Sequence, residues 1–215
     1  MFSNNSYRPL LLGVSLSLVV PNLAQASGYA LIENSASGQG NAFAGAAAHA
    51  TDGSTVWFNP AGMMKLDRDQ LVFAGHIVSP NAEFTNNKSK DAFGNDLVGI
   101  NDDGGSTAFV PNFYWVKTIN DATKFGIGVT SPFGLATEYE FNQAAGPESN
   151  FVGRYHGVLS ELKTININPS LAYKINDRVS IGGGLNLMFG TVALSSAIDF
   201  GALCVAVVPP AAPPP

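Results

Sequence analysis

Hydrophobic and polar residues alternate along five segments of the chain, and alternation at every second residue is the pattern of β-strands. The fourth segment is the most regular: Ile165, Ile167 and Leu171 fall on one face, and Asn166 and Asn168 fall on the other. The predicted strands cover residues 70–78, 107–117, 124–137, 164–175 and 179–191. The pattern therefore predicts an all-β protein.

Two architectures fit this alternation. A soluble sandwich turns its apolar face inward, whereas a transmembrane barrel turns it outward. The connections favour the barrel, because short polar turns at 118–123 and 176–177 alternate with long polar loops at 79–106 and 138–163. Outer-membrane barrels have short periplasmic turns and long external loops. We therefore predict a transmembrane antiparallel β-barrel, whose first strands lie within residues 68–200.

Residues 1–26 have the layout of a secretory signal peptide. Arg8 precedes an apolar run at 10–20, and Ala24-Gln25-Ala26 provides a small-residue cleavage site. The run of 11 residues is too short for a spanning helix, which needs about 20. We expect cleavage after Ala26, so that Ser27 becomes the mature N-terminus.

Residues 27–67 show neither strand nor helix periodicity and are rich in glycine and alanine. Glycine allows turns that other residues resist, and proline restricts the residue before it, as at Asn59-Pro60. The stretch has too few large apolar residues for a core of its own. We predict a compact plug folded inside the barrel, with Asn59 and Pro60 holding it against the wall.

Composition excludes several classes of function. Only 13% of residues are charged and the net charge is -5, whereas a nucleic-acid partner would require a basic patch. The single cysteine, Cys204, excludes an internal disulfide framework. His49, Asp52 and Ser54 are the residue types of a hydrolytic triad, but residues this close in sequence rarely converge correctly. We expect them to be hydrogen-bonding groups of the plug, and we predict no enzyme activity, no metal and no cofactor.

Several motifs occur in a fixed order after the signal peptide. They are Gly28-Tyr29, SASGQGNAFAG at 35–45, ATDGS at 50–54, NPAG at 59–62, AFVPN at 108–112 and TSPFGLATE at 130–138. This order resembles the FadL/TodX family, whose members are outer-membrane channels for long-chain fatty acids and other hydrophobic compounds. The resemblance covers about residues 27–200.

The resemblance implies roles for individual residues. The plug motif is Asn59, Pro60, Ala61 and Gly62, and Tyr29 at the start of the plug would lie near the cargo. It also implies outer-membrane lipid and lipopolysaccharide around the barrel, and hydrophobic small molecules as cargo.

The third predicted strand is interrupted at residues 130–134. Pro132 cannot donate to a sheet ladder, and Gly134 permits a bend. The residues alone leave two interpretations of this interruption: an irregularity at the edge of the sheet near the barrel rim, or a gap in the barrel wall. The resemblance favours a lateral opening toward the lipid, formed by a group of five residues. These are Ala108, Ser131, Pro132, Phe133 and Gly134.

The chain departs from the family in two ways. Members have about fourteen strands, whereas five are predicted here, and the tail at 201–215 is rich in proline. We therefore expect a fragment, produced by a truncated gene, a frameshift or a partial sequence. The family also binds the fatty-acid carboxylate with basic side chains, but no lysine or arginine follows Arg178. Either the cargo is an uncharged hydrocarbon, or the basic groups lie outside this sequence.

These observations predict a channel for passive uptake of fatty acids or other hydrophobic compounds, such as aromatic hydrocarbons. Plug movement would release the cargo, which would leave laterally through the wall gap. The alternative is a surface antigen or adhesin barrel that transports nothing. Neither the cargo nor the oligomeric state follows from the sequence.

Overall fold

The structure is a computed structural model that describes residues 31–91 and 94–200. The predicted signal peptide, Tyr29 and the proline-rich tail lie outside the described residues.

Strands form most of the regular structure. Their bounds are β1 Gln70–Val78, β2 Glu83–Phe84, β3 Asp102–Asp103, β4 Ala108–Asn120, β5 Thr123–Thr130, β6 Gly134–Glu138, β7 Leu159–Lys174, β8 Ser180–Gly184 and β9 Leu187–Ser195. The short strands β2 and β3 pair with each other inside the first long loop.

The helices are short. They are α1 Ala36–Gln39, α2 Thr55–Phe58 and the 3₁₀ helices Pro60–Lys65 and Pro147–Ser149. Ser35 caps α1, because its hydroxyl accepts a hydrogen bond of 2.9 Å from the backbone N–H of Gly38. Among the described residues, no helix is both long enough and apolar enough to cross a membrane.

The main sheet is antiparallel and contains five long strands. β1 pairs with β4, β4 with β5, and β5 with β7. β6 continues the line of β5 along β7, and β8 and β9 together form the fifth strand, also paired with β7. All five predicted strands are therefore present. β7 begins at Leu159, five residues before the predicted start, because residues 159–163 pair with both β6 and β9 although their sequence does not alternate cleanly.

The apolar face of this sheet is the exposed one. Leu71 and Phe73 on β1 are 71% and 72% exposed, whereas Asn112 on β4 and Asn166 on β7 are fully buried. A soluble sandwich would show the reverse arrangement. Outward apolar and inward polar side chains are the pattern of a transmembrane barrel, which the alternation alone could not distinguish.

Pro169 explains why the fifth strand is divided into β8 and β9. The backbone N–H of Leu185 donates to the Pro169 carbonyl at 3.0 Å, but proline has no N–H with which to return the bond. The Asn168 side chain donates instead to the Leu185 carbonyl at 3.0 Å. The regular ladder is therefore interrupted at residues 185–186, but the Leu185 carbonyl still has a hydrogen-bond donor.

Residues 31–66, called here the N-terminal segment, pack on the inward face of the sheet. Their apolar contact is made by Val56, Met63 and Leu66 against Tyr114 and Val116. Gly126 on β5 makes this approach possible, since a Cβ there would lie 2.5 Å from the Met63 sulfur and 2.6 Å from Val56. The segment thus obtains its core from the wall, in agreement with its own shortage of large apolar residues.

Candidate functional site

The ladder between β4 and the third long strand is incomplete. Its last pair toward the long loops is Phe113 with Val129. Beyond it, residues 108–112 pair on their other side with β1, and β6 pairs with β7. Farther along, an isolated bridge joins Gly105 to Thr137. An unpaired stretch therefore lies in the described wall, bounded by one backbone pair on each side.

A β-bulge lies beside this gap, on the side of the third strand that pairs with β7. The pairs Thr130–Asn166 and Gly134–Lys163 enclose three residues, 131–133, on the third strand but only two, 164–165, on β7. An extra residue bends a strand, disrupts its ladder and shifts its alternation by one position. The clean alternation of the third strand accordingly ends at Thr130.

Side chains hold the bulge in one conformation. The Ser131 hydroxyl donates to the Thr164 carbonyl at 2.7 Å. The Thr164 hydroxyl accepts from the Phe133 N–H at 3.0 Å and donates to the Phe133 carbonyl at 2.6 Å. These bonds replace the ladder bonds that Pro132 cannot make, so the gap is a defined structure and not a frayed strand end.

The start of the N-terminal segment lies at the bulge. The backbone N–H of Leu31 donates to the Pro132 carbonyl at 2.8 Å. A Cβ added at Gly134 would meet a side-chain carbon of Leu31 at 3.8 Å and nothing closer. The predicted opening residues 131–134 therefore lie together, and Leu31 borders them. Ala108 lies on the facing edge of β4, where it pairs with Val78 of β1.

The NPAG motif has a different arrangement from the one expected. The Asn59 side chain donates to the Ala47 carbonyl at 2.8 Å, so it ties two parts of the N-terminal segment together and does not reach the wall. The wall contact is made by backbone: a Cβ at Gly182 would lie 2.7 Å from atoms of both Pro60 and Ala61. The expectation that the Asn59 side chain bonds to the wall is therefore wrong.

Three inward residues that sequence analysis did not single out bind the N-terminal segment to the wall. Asn112 donates to the Glu33 carbonyl at 3.0 Å, and the Tyr114 hydroxyl donates to the Asn34 carbonyl at 2.5 Å. The buried Lys124 ammonium donates to the Leu66 carbonyl. In the sequence, the only sign of these residues is a polar group at an inward position of a strand. That position does not identify the group to which the side chain bonds.

Asp52 in the N-terminal segment bonds to serines. Its carboxylate accepts from the Ser37 hydroxyl at 2.6 Å and from the Ser54 N–H at 2.9 Å. Burial raises the pKa of Asp52, but the hydrogen bonds from Ser37 and Ser54 outweigh it and bring the pKa below its ordinary value. Asp52 is thus a charged hydrogen-bond acceptor that fixes the loop around α1.

Comparison with known proteins agrees with this architecture. A family described as "Outer membrane protein transport protein (OMPP1/FadL/TodX)" matches residues 17–213. The long-chain fatty acid transport protein of Escherichia coli O6:H1 is 34% identical over 181 residues, which cover 83% of this chain and 37% of that protein. Outer membrane protein P1 of Haemophilus influenzae strain Rd is 33% identical over 178 residues, with 77% and 37% covered.

A solved structure shows the same fold. The crystal structure of a Pseudomonas aeruginosa FadL homologue superposes with a TM-score of 0.71 at 24% identity, covering 83% of this chain and 41% of the other. The chain thus spans about two fifths of the length of the proteins it matches. Its strands are those of an outer-membrane β-barrel of Gram-negative bacteria, and the chain belongs to the OMPP1/FadL/TodX family of outer-membrane transport proteins.

Proposed function

We propose that the protein takes up long-chain fatty acids or other hydrophobic compounds passively across the outer membrane. The observation that carries this proposal is the bulge at residues 131–133, with its unpaired edge toward residues 108–112. An unpaired edge in a wall that contacts lipid is costly because it leaves backbone groups unsatisfied, so a gap at this position favours a functional role. A lateral exit for apolar molecules is such a use.

The N-terminal segment is the proposed plug. It covers the inward face, and its first described residue, Leu31, is bonded to the bulge at Pro132. Movement of this end of the segment would break the bond between Leu31 and Pro132 and expose the opening. The cargo would then pass from the lumen between residues 108–112 and 131–134 into the membrane, where lipid and lipopolysaccharide surround the apolar outer face. Passage by diffusion requires no catalytic group.

Blocking the opening tests the proposal. Gly134→Arg and Ala108→Arg each place a long side chain at an edge of the gap, and the nearest atom to a Cβ at Gly134 is 3.8 Å away, so the first substitution requires no backbone shift. We expect each variant to abolish uptake of labelled oleate and toluene while its abundance in the outer membrane is unchanged. Gln143→Arg, at an exposed position of the second long loop, is the matched control and should import normally.

Import by both blocked variants at the rate of the unsubstituted protein would refute the lateral route. No import of any hydrophobic compound by the unsubstituted protein would favour the surface-antigen alternative.

A further inference from the structure

Three buried polar side chains, called here the polar row, lie on the inner face of the sheet beside the bulge. Thr130 on β5 pairs with Asn166 on β7. Asn112 on β4 is next to Phe113, whose pair with Val129 is the last of the β4–β5 ladder before the gap. Because neighbouring strands lie about 4.8 Å apart, Asn112, Thr130 and Asn166 are at one level of the wall, each beside the next.

The polar row contains three acceptor oxygens without a donor. The side-chain carbonyl oxygens of Asn112 and Asn166 and the hydroxyl oxygen of Thr130 are buried, and no described residue forms a hydrogen bond with them. Thr130 is only 2% exposed and both asparagines are fully buried, so water does not reach these oxygens. A buried acceptor without a donor loses the free energy of its hydration. These three groups therefore favour an arrangement in which water reaches them.

Neighbouring inward groups on β7 are satisfied, so the polar row differs from the wall next to it. The Asn168 side chain donates to the Asn186 side-chain oxygen at 3.0 Å, and the Ser170 hydroxyl donates to the Asn168 oxygen at 2.9 Å. Two further buried atoms without a partner in the described part of the chain lie outside the row, on Gln70 and His76. The unpaired groups are thus concentrated beside the bulge.

The beginning of the N-terminal segment covers this part of the wall. The N–H of Leu31 donates to a carbonyl of the bulge at 2.8 Å. Asn112 donates through its amide nitrogen to the Glu33 carbonyl at 3.0 Å, and the Tyr114 hydroxyl donates to the Asn34 carbonyl at 2.5 Å. The chain therefore crosses from the bulge to β4, and these hydrogen bonds hold it against the wall.

The rest of the segment is held in a different way. Val56 and Met63 are fully buried and pack against Tyr114 and Val116. Apolar contacts of this kind are lost when water enters, whereas the oxygens of the polar row gain hydrogen bonds. The two parts of the segment thus respond to separation from the wall with free-energy changes of opposite sign.

We propose that the polar row is a release point for the start of the N-terminal segment. It lowers the free energy needed to separate residues 31–34 from the wall, so this end opens locally while the contact of Val56 and Met63 stays formed. The hydrogen bonds of residues 31–34 are then exchanged for bonds to water, and the three oxygens of the row gain bonds that they lack in the covered state. The inference concerns the segment itself, so its test needs no cargo.

Removing one unpaired group tests the release point. In Thr130→Val the side chain keeps its shape but has no hydroxyl, so the covered state loses an unpaired group and the open state exposes a methyl group to water. Amide hydrogen exchange of the purified protein measures such local opening. We expect exchange at residues 31–34 to slow by about tenfold. Thr191→Val, at an exposed position of β9, is the matched control and should exchange as the unsubstituted protein does.

Removing one of the bonds that hold residues 31–34 should have the opposite effect. Tyr114→Phe keeps the ring in its contact with Val56 and removes the hydroxyl that donates to Asn34. We expect exchange at residues 31–34 to become about tenfold faster. Residues 55–66 are the internal reference, and their exchange should be unchanged in Thr130→Val and in Tyr114→Phe.

Three outcomes would decide the matter. If Thr130→Val exchanges at the rate of the unsubstituted protein or faster, the polar row does not favour opening and the inference is refuted. Equal slowing at residues 31–34 and 55–66 would also refute it, because the substitution would then stabilise the whole fold. If Thr130→Val slows exchange only at residues 31–34 in a protein that imports no hydrophobic compound, the release point is supported and the transport proposal fails.

Discussion

Side-chain hydrogen bonds replace missing backbone bonds at Pro132 and Pro169, two of the prolines inside the long strands. Asn168 donates to the carbonyl that Pro169 leaves without a donor, and Thr164 bonds to both backbone groups of Phe133 beside Pro132. Proline inside a sheet is otherwise confined to edges and bulges. Single hydroxyl and amide groups thus supply the hydrogen bonds that the backbone lacks at these positions, and the neighbouring strand pairs remain formed.

Asn59 provides a test at this scale. Its side chain donates to the Ala47 carbonyl at 2.8 Å, and an exposed hydrogen bond of this kind contributes about 0.5–1.5 kcal/mol. We expect Asn59→Ala to loosen the turn at residues 40–50 and to increase amide hydrogen exchange there, while the barrel still assembles. Asn41→Ala removes only a weak bond of 3.4 Å to Ala44 and is the control. Equal exchange in both variants would contradict a clamping role for Asn59.

Asp69, just before β1, predicts a pH dependence. The Lys117 ammonium at 2.7 Å and the Thr118 N–H at 2.7 Å lower the pKa of Asp69 to about 2. In the unfolded chain the pKa of this carboxyl is about 3.9. Between the folded and unfolded pKa values, the unfolded state therefore binds more protons than the folded state. The stabilisation is therefore complete above about pH 4 and is lost as the pH falls toward about 2.

The unfolding rate of Asp69→Asn, measured from pH 7 to pH 2, checks this expectation. The variant should unfold faster than the unsubstituted protein at pH 7, and the difference should disappear near pH 2. Asp121→Asn, in the adjacent turn, is the control. A difference that stays constant over the whole range would refute the assignment to Asp69.

At the scale of elements, the N-terminal segment and the sheet depend on each other. The segment contributes Val56 and Met63 to a contact whose other half is the inner face of β4, β5 and β7. Gly126 and Gly182 mark the closest approaches, because a Cβ at either position would overlap the segment. Small residues on the wall therefore determine where the segment lies.

Gly126→Ala tests this dependence. The added methyl group would lie 2.5 Å from the Met63 sulfur and 2.6 Å from Val56, and overpacking of this kind costs about 1–3 kcal/mol. We expect the segment to shift from the wall and to become more sensitive to protease, with the barrel retained. Gly183→Ala has open space around the new methyl and should behave as the unsubstituted protein. Equal protease sensitivity of the two variants would show that the segment is not held at this contact.

At the scale of the whole molecule, the inverted distribution of polarity explains where the protein resides. Leu71, Phe73 and Ile77 cover the outer face, and Asn112, Asn166 and Asn168 are buried on the inner one. Such a surface is stable in lipid and would aggregate in water. The protein is accordingly an outer-membrane protein, as the family match also shows.

We expect export of the protein to use the N-terminal signal predicted above. We expect the protein to fractionate with the outer membrane and the mature chain to begin at Ser27, because Ala24-Gln25-Ala26 precedes it. N-terminal sequencing of the membrane form measures this directly. Recovery of Met1 at the N-terminus of the membrane form would refute the signal peptide. Arg8→Ala removes the positive charge and keeps the apolar run, so it separates the effect of the charge on export from that of the length of the run.

The sequence alone predicted the five long strands, the interruption at Pro132 and the grouping of residues 131–134. These are local properties: alternation follows from the two-residue period of a strand, and proline always lacks a donor. The extension of β7 to Leu159 was missed, because residues 159–163 are held by partners on both sides and not by their own pattern. The sequence could not identify Ala47 as the partner of the Asn59 amide, since one amide can reach many carbonyls.

Sequence by itself therefore determined the strand pattern and the family, since periodicity and ordered motifs are written in neighbouring residues. Only the tertiary structure decided which face points outward, because both faces of an alternating strand are equivalent until they meet lipid or a second layer. It also decided the one-residue bulge against Thr164 and the contacts of Asn112, Tyr114 and Lys124 with the N-terminal segment. These contacts join residues far apart in the chain, and their pairing depends on register, which a single residue of slip would change.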